Sequence, residues 1–316
     1  MTSKQPVISS ILLGLIGGGL LITSASAVAT APPGTDIYMA NLSVNNMGLY
    51  QAGKFVQVTN RKGYDNQPYF LPNGKGIFYT AMLARGDGTY QSDSFEYQFA
   101  TKKHINLTNT TTSEYSPILM NNGTHFSTIV ERENEQQFWA QAYGKNQKAY
   151  RINDAEPVGY HAWGKNNDLV MFVLGKKRGE PHTLQYQSKK GVKPKIVAKD
   201  IGRSLRYIKS RNAFSFSYKK PNKVWWLAEY LPNQDKVVDL APLVEGSGYY
   251  TWLDDTRVIS SVGKEIHMLQ LKDGVKATIA HWMPWLDVSA SCKTKVSRLA
   301  VNNQSSRMAF VCDEGK

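Results

Sequence analysis

The sequence predicts an all-β chain folded as a six-bladed β-propeller of four-stranded antiparallel blades, with the last blade closed by the N- and C-terminal strands. Three observations carry this expectation. A hairpin pattern recurs six times at near-constant spacing, a third and a fourth strand follow five of the hairpins, and the missing half of the sixth blade lies at the opposite end of the chain.

The hairpin is clearest in "QPYFLPNGKGIFYTA", Gln67 to Ala81. With Phe70 as reference, the pattern returns at Leu119, Trp163, Tyr207, Trp252 and Val301, at intervals of 49, 44, 44, 45 and 49 residues. Seven residues after each reference stands an apolar side chain: Ile77, Phe126, Val170, Phe214, Ile259 and Met308. Nine residues after it come Tyr79, Thr128, Phe172, Phe216, Ser261 and Phe310, which continue the alternation of a strand with one buried face, although Thr128 and Ser261 weaken it. Between the two strands fall "PNG", "NNG", "KNN", "SRN", "DDT" and "NQS", turn-forming residues at one offset.

Aromatic-rich third strands are expected from Ser94, Gln136, His182, Val224 and Glu265, and short fourth strands from His104, Lys148, Lys195, Lys236 and Ala277. The sixth hairpin, near Arg298 to Val301 and Arg307 to Cys312, has no such continuation. "DIYMANL" from Asp36 and "KFVQVT" from Lys54 supply it. A ring closed in this way leaves no half-blade with a bare edge.

Residues 1–27 read as a cleaved secretory signal: one Lys, an apolar run from Val7 to Ile22 interrupted by glycines, and a small-residue site at Ala25-Ser26-Ala27. A membrane anchor is the alternative. Residues 28–35 are a short linker, and residues 36–316 one propeller domain. No later segment is apolar enough to span a bilayer, so a periplasmic or secreted protein is expected, as a monomer. Cys292 and Cys312, the two cysteines of the chain, are expected to form a disulfide in that oxidising setting, two unpaired thiols being the alternative.

"VTNRKGYDNQPYFLPNGKGIFYT", Val58 to Thr80, resembles the repeat of TolB-like propellers in Thr59, Asp65, Pro68, Phe70, Pro72, Asn73, Gly74 and Lys75. The second copy keeps Thr108, Pro117 and Gly123 and carries Glu114 in place of the Asp. Later copies lose the motif. The resemblance implies the propeller fold. Because TolB is a periplasmic protein that acts in the envelope Tol-Pal system by binding other proteins, it also implies a periplasmic binding role. TolB has an additional N-terminal α/β domain, whereas here only "VATAPPGT" lies between Ala27 and the first strand. The same propeller type sits beside the hydrolase domain of prolyl oligopeptidases, and related propellers occur in oligogalacturonate lyases. No residues remain here for a hydrolase domain.

The chain has no G-x-S-x-G elbow, H-E-x-x-H, Walker A or EF-hand loop. Its six histidines, His104, His125, His161, His182, His267 and His281, fall at different places in their blades, so neither a metal nor a cofactor is expected and no catalytic residue is assigned. Three residues before each reference, at the start of the inner strand, stand Gln67, Ser116, Tyr160, Ser204, Tyr249 and Arg298. With Asp65, Glu114, His161, Arg203, Arg206 and Tyr250 nearby, one end of the channel reads as a polar, aromatic mouth for a ligand or a partner's peptide. The bland alternative is a set of groups that bond between blades and hold water.

Formal charge is +13, and removal of the signal takes only Lys4 with it. Between Lys165 and Lys223 there are sixteen Lys or Arg against Asp168, Glu180 and Asp200. This excess accounts for the imbalance of the whole chain. It falls in blades three and four and includes Lys176, Lys177 and Arg178, then Lys189 and Lys190, a basic face that would attract an envelope protein or an anionic polymer or lipid. A solvated, solubilising surface is the alternative. Nucleic acid is not expected as a partner of an exported chain. The enzyme reading is a lyase or hydrolase on acidic sugars, with Tyr160, His161 and Arg206 near the axis.

Overall fold

The computed structural model describes residues 33–272 and 277–314, so the segment read as a secretory signal lies outside the described residues. Six antiparallel sheets follow one another around a ring. Blade one comprises Asp65–Phe70, Gly76–Ala84, Tyr90–Gln98 and His104–Asn106. Blade two comprises Ser113–Leu119, His125–Arg132, Glu135–Ala142 and Tyr150–Arg151. Blade three comprises Val158–Trp163, Leu169–Val173, Thr183–Gln187 and Lys195–Lys199. Blade four comprises Ile201–Ile208, Ala213–Lys219, Trp225–Leu231 and Lys236–Pro242. Blade five comprises Tyr250–Trp252, Arg257–Val262, Glu265–Gln270 and Trp282–Asp287. In each, the first strand lies on the ring's inside and the chain steps outward strand by strand.

The recurring column seven residues after the reference is the core of every blade: Ile77, Phe126, Val170, Phe214, Ile259 and Met308 are all 0% exposed. Burying such a side chain contributes about 1.5–3 kcal/mol. The two polar members of the next column are buried as well because each finds an acceptor. Thr128 Oγ1 donates to Tyr115 O at 2.6 Å and Ser261 Oγ to Val296 O at 3.2 Å. Spacing misses one detail. Phe70, Leu119, Tyr207 and Val301 pair with the residue seven later, whereas Trp163 pairs with Leu169 and Trp252 with Val258. The hairpins of blades three and five are therefore one residue tighter.

A second difference lies in blade five, where "ATIAHW" from Ala277 is expected to be the fourth strand. Ile279–His281 instead forms a short 3-10 turn, and the strand is Trp282–Asp287. Thr278 and His281 cap that turn through side chain to backbone bonds, which commits the segment to a turn before the strand begins.

The apolar clusters sit between blades. Val170, Phe172, Phe214 and Phe216 join blades three and four, and Ile37, Ile77, Tyr79 and Val311 join blades six and one. Leu253, Ile259, Met308 and Phe310 join blades five and six. Each blade thus packs its two faces on different neighbours, as a propeller requires.

Both ends of the chain build the sixth blade. Val296–Val301 and Arg307–Asp313 are followed in the sheet by Thr35–Val44, which pairs antiparallel with Arg307–Asp313 from Thr35↔Asp313 to Asn41↔Arg307. Tyr38 lies opposite Phe310, the rings stacked with centroids 5.3 Å apart. The fourth position is filled in two pieces, Tyr50–Ala52 and Val56–Gln57. The TolB-like motif residues reinforce this seam. Thr59 Oγ1 accepts from Ile37 N at 2.9 Å and donates to Asp36 Oδ1 at 3.0 Å, while Asp65 N donates to Thr35 Oγ1 at 3.1 Å.

Cys292 and Cys312 are disulfide-bonded, with Cα atoms 5.4 Å apart and a sequence separation of 20. The bond fastens the closing hairpin to the connection from blade five. Replacing Cys312 with Ser is expected to lower the free energy of unfolding by about 3 kcal/mol, measured by denaturant titration against the oxidised wild type.

The seam also carries a buried acid. Burial pushes the Asp36 carboxyl up to about 7, with Glu314 adding to the rise and Thr59 and Gln57 opposing it. Its folded value exceeds its ordinary 3.8, so folding favours the protonated form. That stabilisation is full below about pH 4 and disappears as pH rises through about 7. The stability advantage of Asp36→Asn over wild type should therefore grow between pH 5 and pH 8, read from denaturation midpoints at each pH. An advantage independent of pH would refute the assignment.

Candidate functional site at the channel mouth

Five of the six residues that stand three before a reference lie where the inner strand is irregular, and the sixth, Tyr249, directly precedes its strand. Register between the first two strands shifts between Asn66 and Tyr69, Tyr115 and Ile118, Val158 and Tyr160, Ile201 and Leu205, and Val296 and Arg298. Such bulges free a side chain from the pleat and re-aim it. In blades one and two the bulge residues Gln67 and Ser116 adopt left-handed backbone, φ 59° and 56°, which costs a non-glycine residue about 1–2 kcal/mol. Gln67 Oε1 offsets this by accepting from Thr80 Oγ1 at 2.6 Å and from Ser116 N at 2.7 Å, so one amide ties the first two blades together.

The other bulges bring charge to the axis. Arg298, on the closing blade, donates from Nη2 to the hydroxyl of Tyr160, on blade three, at 2.8 Å. Its guanidinium lies 5.0 Å from the Tyr160 ring centre and 4.5 Å from that of Tyr249 on blade five. Burial opposes the Arg298 charge, but the Tyr160, Tyr249 and Tyr64 oxygens outweigh it and push the guanidinium up. Burial likewise raises the Tyr160 phenol, and Arg298 followed by Arg203 more than reverses this, holding it below its ordinary value. Arg203 stands exposed at the same mouth, where the opposing effect of burial is outweighed by the Tyr160 and Tyr249 oxygens, which raise its guanidinium. Among the described residues, no carboxylate forms an ion pair with Arg203, Arg206 or Arg298.

Arg206 lies one layer deeper and spans three blades. It donates to Thr251 Oγ1 at 3.0 Å, Leu205 O at 2.9 Å and Leu299 O at 3.1 Å. Burial pulls its guanidinium below the usual value. Its donors are spent on fixed acceptors, which makes it a brace beneath the mouth.

Asp65 and Glu114 are fully buried within their own blades. Asp65 accepts from Arg61 at 2.6 and 3.0 Å; burial pushes its carboxyl up to about 6 with Arg61 opposing. Glu114 accepts from Thr110 and Thr112 at 2.5 and 2.6 Å, and burial raises it as well. Neither contacts the arginines of the mouth.

His161 belongs to a latch between blades two and three. Its Nε2 lies 2.6 Å from Ser127 Oγ, which also receives Trp163 Nε1 at 2.8 Å and donates to Ile118 O at 3.2 Å. Burial pulls its imidazole down to about 3. The latch recurs two blades on: Tyr250 OH and Trp252 Nε1 reach Ser215 Oγ at 3.1 and 2.8 Å. His161 and Tyr250 both stand two residues before their reference. The readable signal is a Ser eight residues after the reference in blades two and four, followed by a Trp as the next blade's reference.

The basic residues do not gather on one end of the disc. Lys176, Lys177 and Arg178 lie in the connection after Val173, which pairs with Val158 at the start of the inner strand, so they flank the mouth. Lys189 and Lys190 follow Gln187, opposite Leu169 and thus beside Trp163, at the other end. There Lys190 Nζ rests 4.5 Å from the Tyr150 ring centre. Sequence reading missed Tyr64, which precedes Asp65; burial pushes its phenol up, and the charge of Arg298 opposes the rise. No group of three His, Cys, Asp or Glu able to hold a metal occurs among the described residues. None of their helices is long and apolar enough to cross a membrane.

No family model matches this chain, and no curated protein matches its sequence. Solved structures do resemble it. Putative TolB from Agrobacterium tumefaciens superposes with a TM-score of 0.65 at 8% identity, covering 89% of this chain and 99% of that one. TolB from Acinetobacter baumannii gives a TM-score of 0.55 at 9% identity over 90% of this chain and 65% of that one, so the chain spans under two thirds of that protein. An oligogalacturonate lyase in complex with manganese gives 0.51 at 10% identity, over 74% of this chain and 69% of that one. At these identities the likeness is one of fold: a TolB-like six-bladed propeller.

Ser127→Ala and Ser215→Ala should each cost about 1–3 kcal/mol, because an indole N–H is left buried without an acceptor. Denaturant titration measures the loss. In a proton NMR titration the His161 ring should show no protonation step between pH 5 and 8, since its value lies near 3.

Proposed function

We propose that this chain is an exported, periplasmic propeller that acts as a monomer and binds, without catalysis, an anionic group of an envelope protein or of an anionic envelope polymer or lipid at the channel mouth. One observation carries the reading: Arg298 and Arg203 converge on the axis between Tyr160 and Tyr249 with no paired carboxylate. A buried guanidinium, Arg298, and an exposed one, Arg203, framed by phenols form a site that a carboxylate or phosphate completes with charge-assisted hydrogen bonds. Lys176, Lys177 and Arg178 extend the positive field at the same end and raise the rate of encounter. The apolar N-terminal segment and the fold shared with TolB support export and a binding role.

A catalytic reading needs an acid and a base at the mouth. The arginines and tyrosines there supply no carboxylate, and His161 is committed to Ser127. Binding of a poly-glutamate peptide, and of vesicles containing phosphatidylglycerol, across a salt series tests the proposal. Affinity should fall with salt, and Arg298→Gln should weaken it about tenfold or more. Lys176→Glu with Lys177→Glu should slow association, while Lys189→Glu with Lys190→Glu leaves it unchanged. Equal affinity of wild type and Arg298→Gln would overturn the reading.

A further inference from the structure

Beside the mouth, between blades three, four and five, lies a cavity of about 330 Å³, within the usual range for a small-ligand site. It shares Arg203 and Tyr249 with the channel mouth and extends outward from the axis to Phe172, His182 and Trp225. We propose that this cavity binds one carboxylated sugar unit of an anionic polysaccharide, with Arg203 holding the carboxylate. The inference rests on the reading of the mouth as an anion site and deepens it by naming a ligand class.

The lining carries the chemistry that such a unit requires. Trp225 and Tyr249 line the cavity with aromatic rings, the residue type that packs on the C–H face of a pyranose. Ser217 adds a hydroxyl, which both donates and accepts, while the Ser247 hydroxyl in the same lining is bonded to Ser260 Oγ. His182 Nδ1 accepts from Gly175 N at 3.1 Å, which leaves Nε2–H as the donor of the neutral ring. Burial first, then the Arg203 charge, pulls this imidazole down, so it stays neutral beside the guanidinium. No carboxylate is among the lining residues, and Lys219 Nζ stands 6.0 Å from the Trp225 ring centre as a second cation at the rim.

Two glycines keep the space open. A Cβ at Gly202 would fall 2.2 Å from Ser217 Oγ and 3.3 Å from Trp225, so a larger residue there would force Ser217 to shift. A Cβ at Gly248 would meet nothing within 4 Å, and its backbone is not in the left-handed region, so a larger residue there extends into open space without strain.

Titration calorimetry with digalacturonate, and with cellobiose as the uncharged control, tests the assignment. Wild type should bind digalacturonate and not cellobiose. Gly248→Leu, which obstructs the cavity, and Arg203→Gln should each weaken binding about tenfold to a hundredfold at unchanged melting temperature, while Arg298→Gln retains it. Loss in Arg298→Gln with retention in Gly248→Leu would put the sugar acid on the axis and overturn the cavity assignment while leaving the mouth reading intact. Equal binding of cellobiose, or no binding of digalacturonate, would also overturn it. Poly-glutamate binding by Gly248→Leu reports separately on the mouth.

Discussion

The pairing of Thr35–Val44 with Arg307–Asp313 is the contact on which everything else in this molecule depends. It joins chain ends almost the whole sequence apart, so its entropic cost falls late in folding and is recovered only when six blades are in place. Backbone ladder, stacked Tyr38 and Phe310, and the disulfide all act on the same sheet. The Asp36–Thr59–Gln57 cluster sits on the outer side of that sheet, where the residues that resemble the TolB-like repeat have a structural role. Their presence in the first blade follows from that blade's position beside the seam.

Closure also creates the site. Arg298 is on the closing blade and Tyr160 on the opposite side of the ring, so their bond exists only in a complete wheel. The mouth and the fold therefore cannot be varied independently. Beneath it Arg206 links blades four, five and six, and Gln67 links blades one and two. The polar lining thus contains both braced groups and open ones. What separates the two is whether the donors already have acceptors: those of Arg206 do, while Arg203 and Arg298 face only phenols and lack a countercharge.

The same distinction applies to the titratable groups. Asp65, Glu114 and His161 are all displaced by burial, a feature often associated with catalysis. Each is matched to a structural partner, Arg61, a threonine pair and Ser127 respectively. Displacement without convergence marks packing. The mouth itself combines positive charge with aromatic faces, and the adjoining cavity adds hydroxyls, a mixture suited to holding an anion in place.

The sequence by itself determined the blade count, the buried columns and the shared closing blade, because apolar alternation and turn chemistry are local and repeat with the blade. It also identified Arg298, Tyr160 and Tyr249, since position in the repeat fixes where the inner strand meets the axis. Only the tertiary structure decided what those positions do. That His161 serves Ser127, and that Lys189 and Lys190 lie at the end opposite Lys176, depend on contacts between blades and on which connection crosses which end. A repeat specifies each blade's own pattern. The partner across the blade boundary is set by the ring.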